Sequence, residues 1–198
     1  MGLGNSGNGK TFVQVVGGMM AIRVSEGTQG AVSRVLAAGK NQGKLVYEQH
    51  YQYLDGKITG ITYDVKDFGA FINIEIDDKY ILSVPWKSSM KRNIVSQLPN
   101  VDFSSQVRIN AFSDKTDAKR NVLLVKQNGE NVKFQHTKDE PNGLPLPVET
   151  VELGKKKLDY KKVEEFLYNV LQAQIGRFNE ENGIEVEPAN DEPSADDF

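Results

Sequence analysis

Between residues 11 and 137 apolar positions alternate with polar ones far more often than they recur at helical spacing, which predicts a chain of short strands. Val13 to Val16 and Met19 to Val24 flank Gly17-Gly18, a two-residue hairpin signal because consecutive glycines accept the positive φ that such turns need. Lys44 to Leu54 and Lys57 to Val65 flank Asp55-Gly56, which reads in the same way. From Phe71 to Asp77 the alternation puts Ile72, Ile74 and Ile76 on one face and Phe71, Asn73 and Glu75 on the other. Tyr80 to Val84, Val107 to Phe112, Val122 to Gln127 and Val132 to His136 follow, the last two separated by Asn128-Gly129. One interruption, SSMKRNIVSQL, carries Met90, Ile94 and Leu98 at helical spacing behind a serine at the N-cap position.

From Lys57 onward the order is three strands, a helix and two strands, the chain order of an OB-fold. The expected class is therefore mainly β: an OB-fold-like five-stranded barrel with extra N-terminal β-hairpins, one C-terminal amphipathic helix and a disordered acidic tail. A plain β-sandwich is the alternative. The expected divisions are a flexible leader (1–10), the β-rich domain (11–137), a linker containing Pro141, Pro145 and Pro147 (138–157), a helix (158–180) and the tail (181–198). The helix shows one apolar stripe of Val163, Phe166, Leu167, Val170, Leu171, Ile175 and Phe178, with Asp159 as its cap.

Charge sharpens this division. Residues 1–140 hold 18 basic and 14 acidic side chains, a net of +4, while residues 141–198 hold 6 and 13, a net of -7. A basic body with an acidic end suggests a polyanionic partner for the first and an interaction role for the second. The absence of cysteine excludes disulfides and thiolate metal sites, and two histidines, His50 and His136, are too few for a histidine-rich metal centre. Neither a membrane span of roughly 20 apolar residues nor a signal peptide is expected, so the reading is a cytoplasmic protein without cofactor or membrane partner.

The stretch GNSGNGKT, Gly4 to Thr11, fits the phosphate-loop pattern letter for letter. That loop needs a strand before it and a helix after it. Here three residues precede Gly4 and the β-branched TFVQVV follows, so the match is read as compositional. No nucleophile–base or metalloprotease motif occurs, and the acidic residues Asp64, Asp67, Glu75, Asp77 and Asp78 are read as turn and surface groups, with Asp77-Asp78 forming a tight turn. The chain is not expected to be an enzyme.

Binding residues are better supplied. Single strands are held by aromatic faces on which bases stack, interleaved with cations that follow the phosphates. Alternation puts Tyr47, Tyr51 and Tyr53 on one face, Phe71 opposite the isoleucines, and Arg108, Asn110 and Phe112 opposite the apolar Val107, Ile109 and Ala111. Lys87, Lys91 and Arg92 cluster around the first helix, and Lys115, Lys119 and Arg120 in the turn between the last two barrel strands. Trp86, beside Pro85 at a strand end, suits either a core or a ligand contact.

A basic β-rich body with aromatic rows, a linker and an acidic end ADDF resembles the single-stranded-DNA-binding proteins of replication, especially those of bacteriophages. The chain ends Asp197-Phe198, closer to the phage pattern than to the Pro-Phe ending of bacterial members. The resemblance implies a non-enzymatic protein that coats single strands during replication, recombination and repair. It assigns partner recruitment to Asp191, Glu192, Asp196, Asp197 and Phe198, and is compatible with a homo-oligomer in the host cytoplasm. Two rivals stand beside it: a viral assembly protein whose aromatic rows are subunit interfaces, and a nucleotide hydrolase using Lys10.

Overall fold

The computed structural model describes residues 9–37, 39, 41–117, 120–152 and 155–185. It is mainly β. Its strands are β1 (Thr11–Val16), β2 (Met19–Val24), β3 (Val32–Val35), β4 (Leu45–Tyr51), β5 (Tyr53–Lys66), β6 (Gly69–Ile76) and β7 (Tyr80–Pro85). After helix α1 (Met90–Gln97) and a 3-10 turn, Leu98–Asn100, come β8 (Gln106–Ser113), β9 (Asn121–Gln127) and the short β10 (Glu130–Asn131). These ten strands form one sheet in the order β10-β9-β8-β5-β6-β7-β1-β2-β4-β3. A separate hairpin, β11 (Val148–Glu152) and β12 (Lys155–Asp159), leads into helix α2 (Lys161–Asn182).

Gly17-Gly18 forms the β1–β2 turn, with φ of 57° and 75°. Asn128-Gly129 does the same between β9 and β10. Asp55-Gly56 does not: both residues lie inside β5 and pair with β8, Asp55 opposite Arg108 and Gly56 opposite Val107. A Cβ on Gly56 would stand 2.3 Å from Asp77 Oδ2, and Asp77 Oδ1 accepts the Lys57 N–H at 2.7 Å. Glycine is needed there for close approach, which a hairpin signature cannot be told from in one sequence. The predicted run from Lys44 to Leu54 breaks instead at Gln52, where the chain leaves the edge of β2 and joins that of β8.

Strand β5 changes partner along its length. Residues 53–57 pair with β8 and residues 58–66 with β6, across a bulge between Ile58 and Gly60. The order β9-β8-β5-β6-β7 results, and closing it into the expected five-stranded barrel would require β7 to pair with β9. Among the described residues that ladder is absent. The free edge of β7 is taken by β1 in parallel, Thr11 opposite Tyr80 and Val13 opposite Leu82, so the sheet stays open. The β1–β2 turn crosses towards the far side: the Gly18 N–H donates to Asn121 Oδ1 at 2.8 Å, and a Cβ on Gly18 would lie 2.3 Å from the Ser113 nitrogen.

One core joins sheet and helices. Ile72, Ile74, Ile76, Leu82, Val84, Val107 and Ile109 face Met90, Ile94 and Leu98 of the first helical segment, and Val163, Leu167, Leu171 and Phe178 of α2 cover them. Helix α2 begins at Lys161, not at Leu158, because Leu158 and Asp159 are still in β12. Asp159 Oδ1 accepts the Lys161 N–H at 2.8 Å, a capping contact from just outside the helix. The expected linker thus holds a turn at Pro141–Leu144, a short proline-bearing stretch and then a β-hairpin. At its far end α2 is tied down by Arg177, which donates to the carbonyls of Leu98, Pro99 and Val101 at 2.8–3.1 Å.

Candidate nucleic-acid interface

Val107, Ile109 and Ala111 point into the core, so the pleat turns Arg108, Asn110 and Phe112 outward. Register then builds a surface across three strands. Tyr53 lies opposite Asn110 and Asp55 opposite Arg108 on one side, while Lys126, Leu124 and Val122 oppose Arg108, Asn110 and Phe112 on the other. The Arg108 guanidinium carbon is 4.0 Å from the centroid of the Tyr53 ring, and its Nη2 is 3.0 Å from Asp55 Oδ2. Phe112 is 47% exposed on a strand whose alternate residues are buried. Flat rings beside a stacked guanidinium on a rigid strand suit bases and phosphates together.

The predicted tyrosine row is divided. Tyr47 and Tyr51 are on β4, Tyr53 is on β5, and the break at Gln52 turns the chain between them. The Tyr47 hydroxyl donates to Glu26 Oε1 at 2.6 Å, a bond that holds its phenol above the usual range. Tyr51 and Tyr53 are brought back together as walls of one cleft. Phe71 is half-buried and packs edge-on against Phe68, their centroids 5.5 Å apart. Phe68, 77% exposed in the β5–β6 turn, escaped the sequence reading because a turn has no alternation to reveal it.

Lys87, Arg92 and Arg120 meet in one groove of about 660 Å³, joined by Lys138 and bounded by the proline segment and the first turns of α2. Ser89, the residue before α1, anchors this corner by donating to the Asn121 carbonyl at 3.0 Å instead of capping its helix. Arg120 directly precedes β9, one residue from Asn121, so the groove adjoins the Phe112 end of the β8 surface. Lys115 is exposed in the β8–β9 turn. Lys119, the acidic residues Asp191, Glu192, Asp196 and Asp197, and Phe198 lie outside the described residues.

Trp86 and Lys91 are buried. Trp86 continues the inward alternation of Leu82 and Val84, is 1% exposed, and meets Tyr63 and Tyr168 edge-on with centroids 5.2 and 6.3 Å away. The Lys91 ammonium sits 4.7 Å from the Trp86 ring and is ion-paired with Glu164 of α2. Burial lowers the Lys91 pKa, and the Glu164 carboxylate offsets part of that shift. Both residues seal the seam between the sheet, α1 and α2, and Lys91, though buried, also lines the inner wall of the groove of Lys87, Arg92 and Arg120.

A second buried charge lies on β4. Glu48 receives Arg34 Nη2 at 2.6 Å and Nε at 3.0 Å, and His50 Nε2 stands 3.3 Å away. The Arg34 hydrogen bond holds the Glu48 carboxyl below the usual range despite its burial. Lys10 is also engaged, at 2.5 Å from Glu75 Oε2, and Thr11 opens β1. The residue that would serve phosphates in the GNSGNGKT reading is thus committed to the sheet. No family model matches the chain, nor does any curated protein or solved structure match it.

Proposed function

We propose that the chain binds single-stranded DNA without sequence preference, protects it, and recruits replication or recombination proteins through its acidic C-terminal residues. The observation that carries this reading is the outward row of Tyr53, Arg108, Asn110 and Phe112, which adjoins the groove of Lys87, Arg92, Arg120 and Lys138. Stacking accepts any base, and the cations lie where a strand following β8 would pass. The order β9-β8-β5-β6-β7, with α1 between β7 and β8, supports kinship with the OB-fold, opened at the β7 edge. The acidic residues 186–198 are tethered to this basic surface at high effective concentration and compete with DNA for it.

The test is anisotropy of a labelled oligonucleotide of mixed sequence titrated with the full chain. Five or so phosphate contacts give a loss of about 100-fold in affinity between roughly 50 and 200 mM salt. Duplex of equal length should not compete, and removing residues 186–198 should tighten binding at low salt. No binding at low salt, with or without that segment, would overturn the reading. A second reading, self-assembly, is favoured by the edge strand β3, where Val32 and Val35 are exposed, with the exposed Leu45 of β4 beside Val35. It predicts a stable oligomer by sedimentation and no oligonucleotide binding.

A further inference from the structure

We infer that a cleft beside the β8 surface receives an unstacked base of the bound strand; this rests on the single-strand reading above. The cleft, about 390 Å³, opens where the β1–β2 hairpin faces the break between β4 and β5. Its floor is apolar, made by Val13, Met20 and Leu54, and its walls carry the rings of Tyr51, Tyr53 and Tyr80. It is lined by strands that pair with different neighbours, β1 and β2 on one side and the start of β5, which pairs with β8, on the other.

Three features select a nucleotide over an apolar side chain as the occupant. The walls are tyrosines, which offer ring faces and hydroxyls, and the rim carries the Gln52 amide and the Asp55 carboxylate, which can meet the polar edge of a base. A cation also stands against each of two wall rings. Arg108 is 4.0 Å from the Tyr53 centroid and Lys79 is 5.1 Å from that of Tyr80, so phosphates on either side of an inserted base would each have a partner. Finally, Tyr53 belongs to both the cleft and the outward row, so a strand stacked along β8 reaches the cleft without leaving the protein.

The assignment adds Tyr80 and Lys79 to the binding residues and gives Tyr51 a partner other than its neighbour on β4. It is tested on the full chain with an oligonucleotide carrying 5-iododeoxyuridine. Irradiation should attach the strand to Tyr51, Tyr53 or Tyr80, located by mass spectrometry. Tyr51→Leu and Tyr80→Leu should each weaken binding about 5- to 50-fold with the salt dependence unchanged, because a stacking contact releases no counterion. Lys79→Ala should reduce the slope of log affinity against log salt by about 0.7, the share of one phosphate on a single strand. Binding that is weakened by Phe112→Ala but not by either tyrosine change, with no cross-link in the cleft, overturns this inference and leaves the function standing. Absence of any single-strand binding by the unaltered chain overturns both.

Discussion

Trp86→Ala is expected to lower folding stability by about 3 to 5 kcal/mol, whereas Phe112→Ala lowers it by less than about 0.5 kcal/mol. Both are aromatic residues of the β-rich body, yet the Trp86 ring fills the seam beneath α2 against Tyr63 and Tyr168, and the Phe112 ring covers a strand facing solvent. Removing the indole leaves a cavity that the sheet and α2 cannot both close. On a total stability of roughly 5 to 15 kcal/mol that is a large share. Urea unfolding followed by circular dichroism measures it. For DNA the order reverses: Phe112→Ala loses about 1 to 3 kcal/mol of binding, the value of one stacked base. If Phe112→Ala proves the more destabilising to the fold, the row on β8 is packing surface and the proposed interface fails.

The second large effect is expected at Glu164. Glu164→Ala leaves the Lys91 ammonium buried beside Trp86 without its carboxylate, and costs about 3 kcal/mol at neutral pH. The pH dependence follows from the direction of the Lys91 shift. Its folded pKa lies below the ordinary lysine value of 10.5, so between the two the unfolded chain holds a proton that the folded chain has released. Raising the pH through that window favours the folded state. Loss of Glu164 removes the influence opposing desolvation and extends the window downward, so the deficit shrinks as the solution becomes alkaline. Replacing both partners, Lys91→Met with Glu164→Leu, should restore stability to near that of the unaltered chain, since neither charge is then desolvated. Denaturant midpoints at neutral and alkaline pH distinguish these outcomes.

Period-two alternation made the inward faces of β6 and β8 readable, because a strand with one apolar face sets Ile72, Ile74 and Ile76 apart from their neighbours, although Asn73 on the other face of β6 is buried as well. The stripe on α2 was readable for the corresponding helical reason. Alternation also extended from Leu82 through Val84 to Trp86, and following it one step further places Trp86 in the core. What sequence could not show is pairing at a distance. Asp55-Gly56 has the composition of a turn, but the neighbour that makes glycine necessary is Asp77, 21 residues on from Gly56. The partner of β7 likewise depends on which of two strands, β1 or β9, reaches its edge, and neither carries a local mark of it. The same holds for the site. Arg108 and Phe112 were legible as outward residues, while the meeting of Tyr51, Tyr53 and Tyr80 in one cleft brings together strands far apart in the sequence.

The parallel pairing of β1 with β7 also orders events during synthesis. The second edge of β1, at Thr11–Val13, has no partner until Tyr80–Leu82 have left the ribosome, and the Gly18 N–H has no acceptor on Asn121 until that residue has followed. Strand β1 therefore stands until then at the open edge of the β1-β2-β4-β3 part of the sheet, an edge that another strand could pair with. Nascent chains halted short of residue 82 leave that edge unpaired and should be cut within β1 by protease; chains halted well beyond residue 121 should resist.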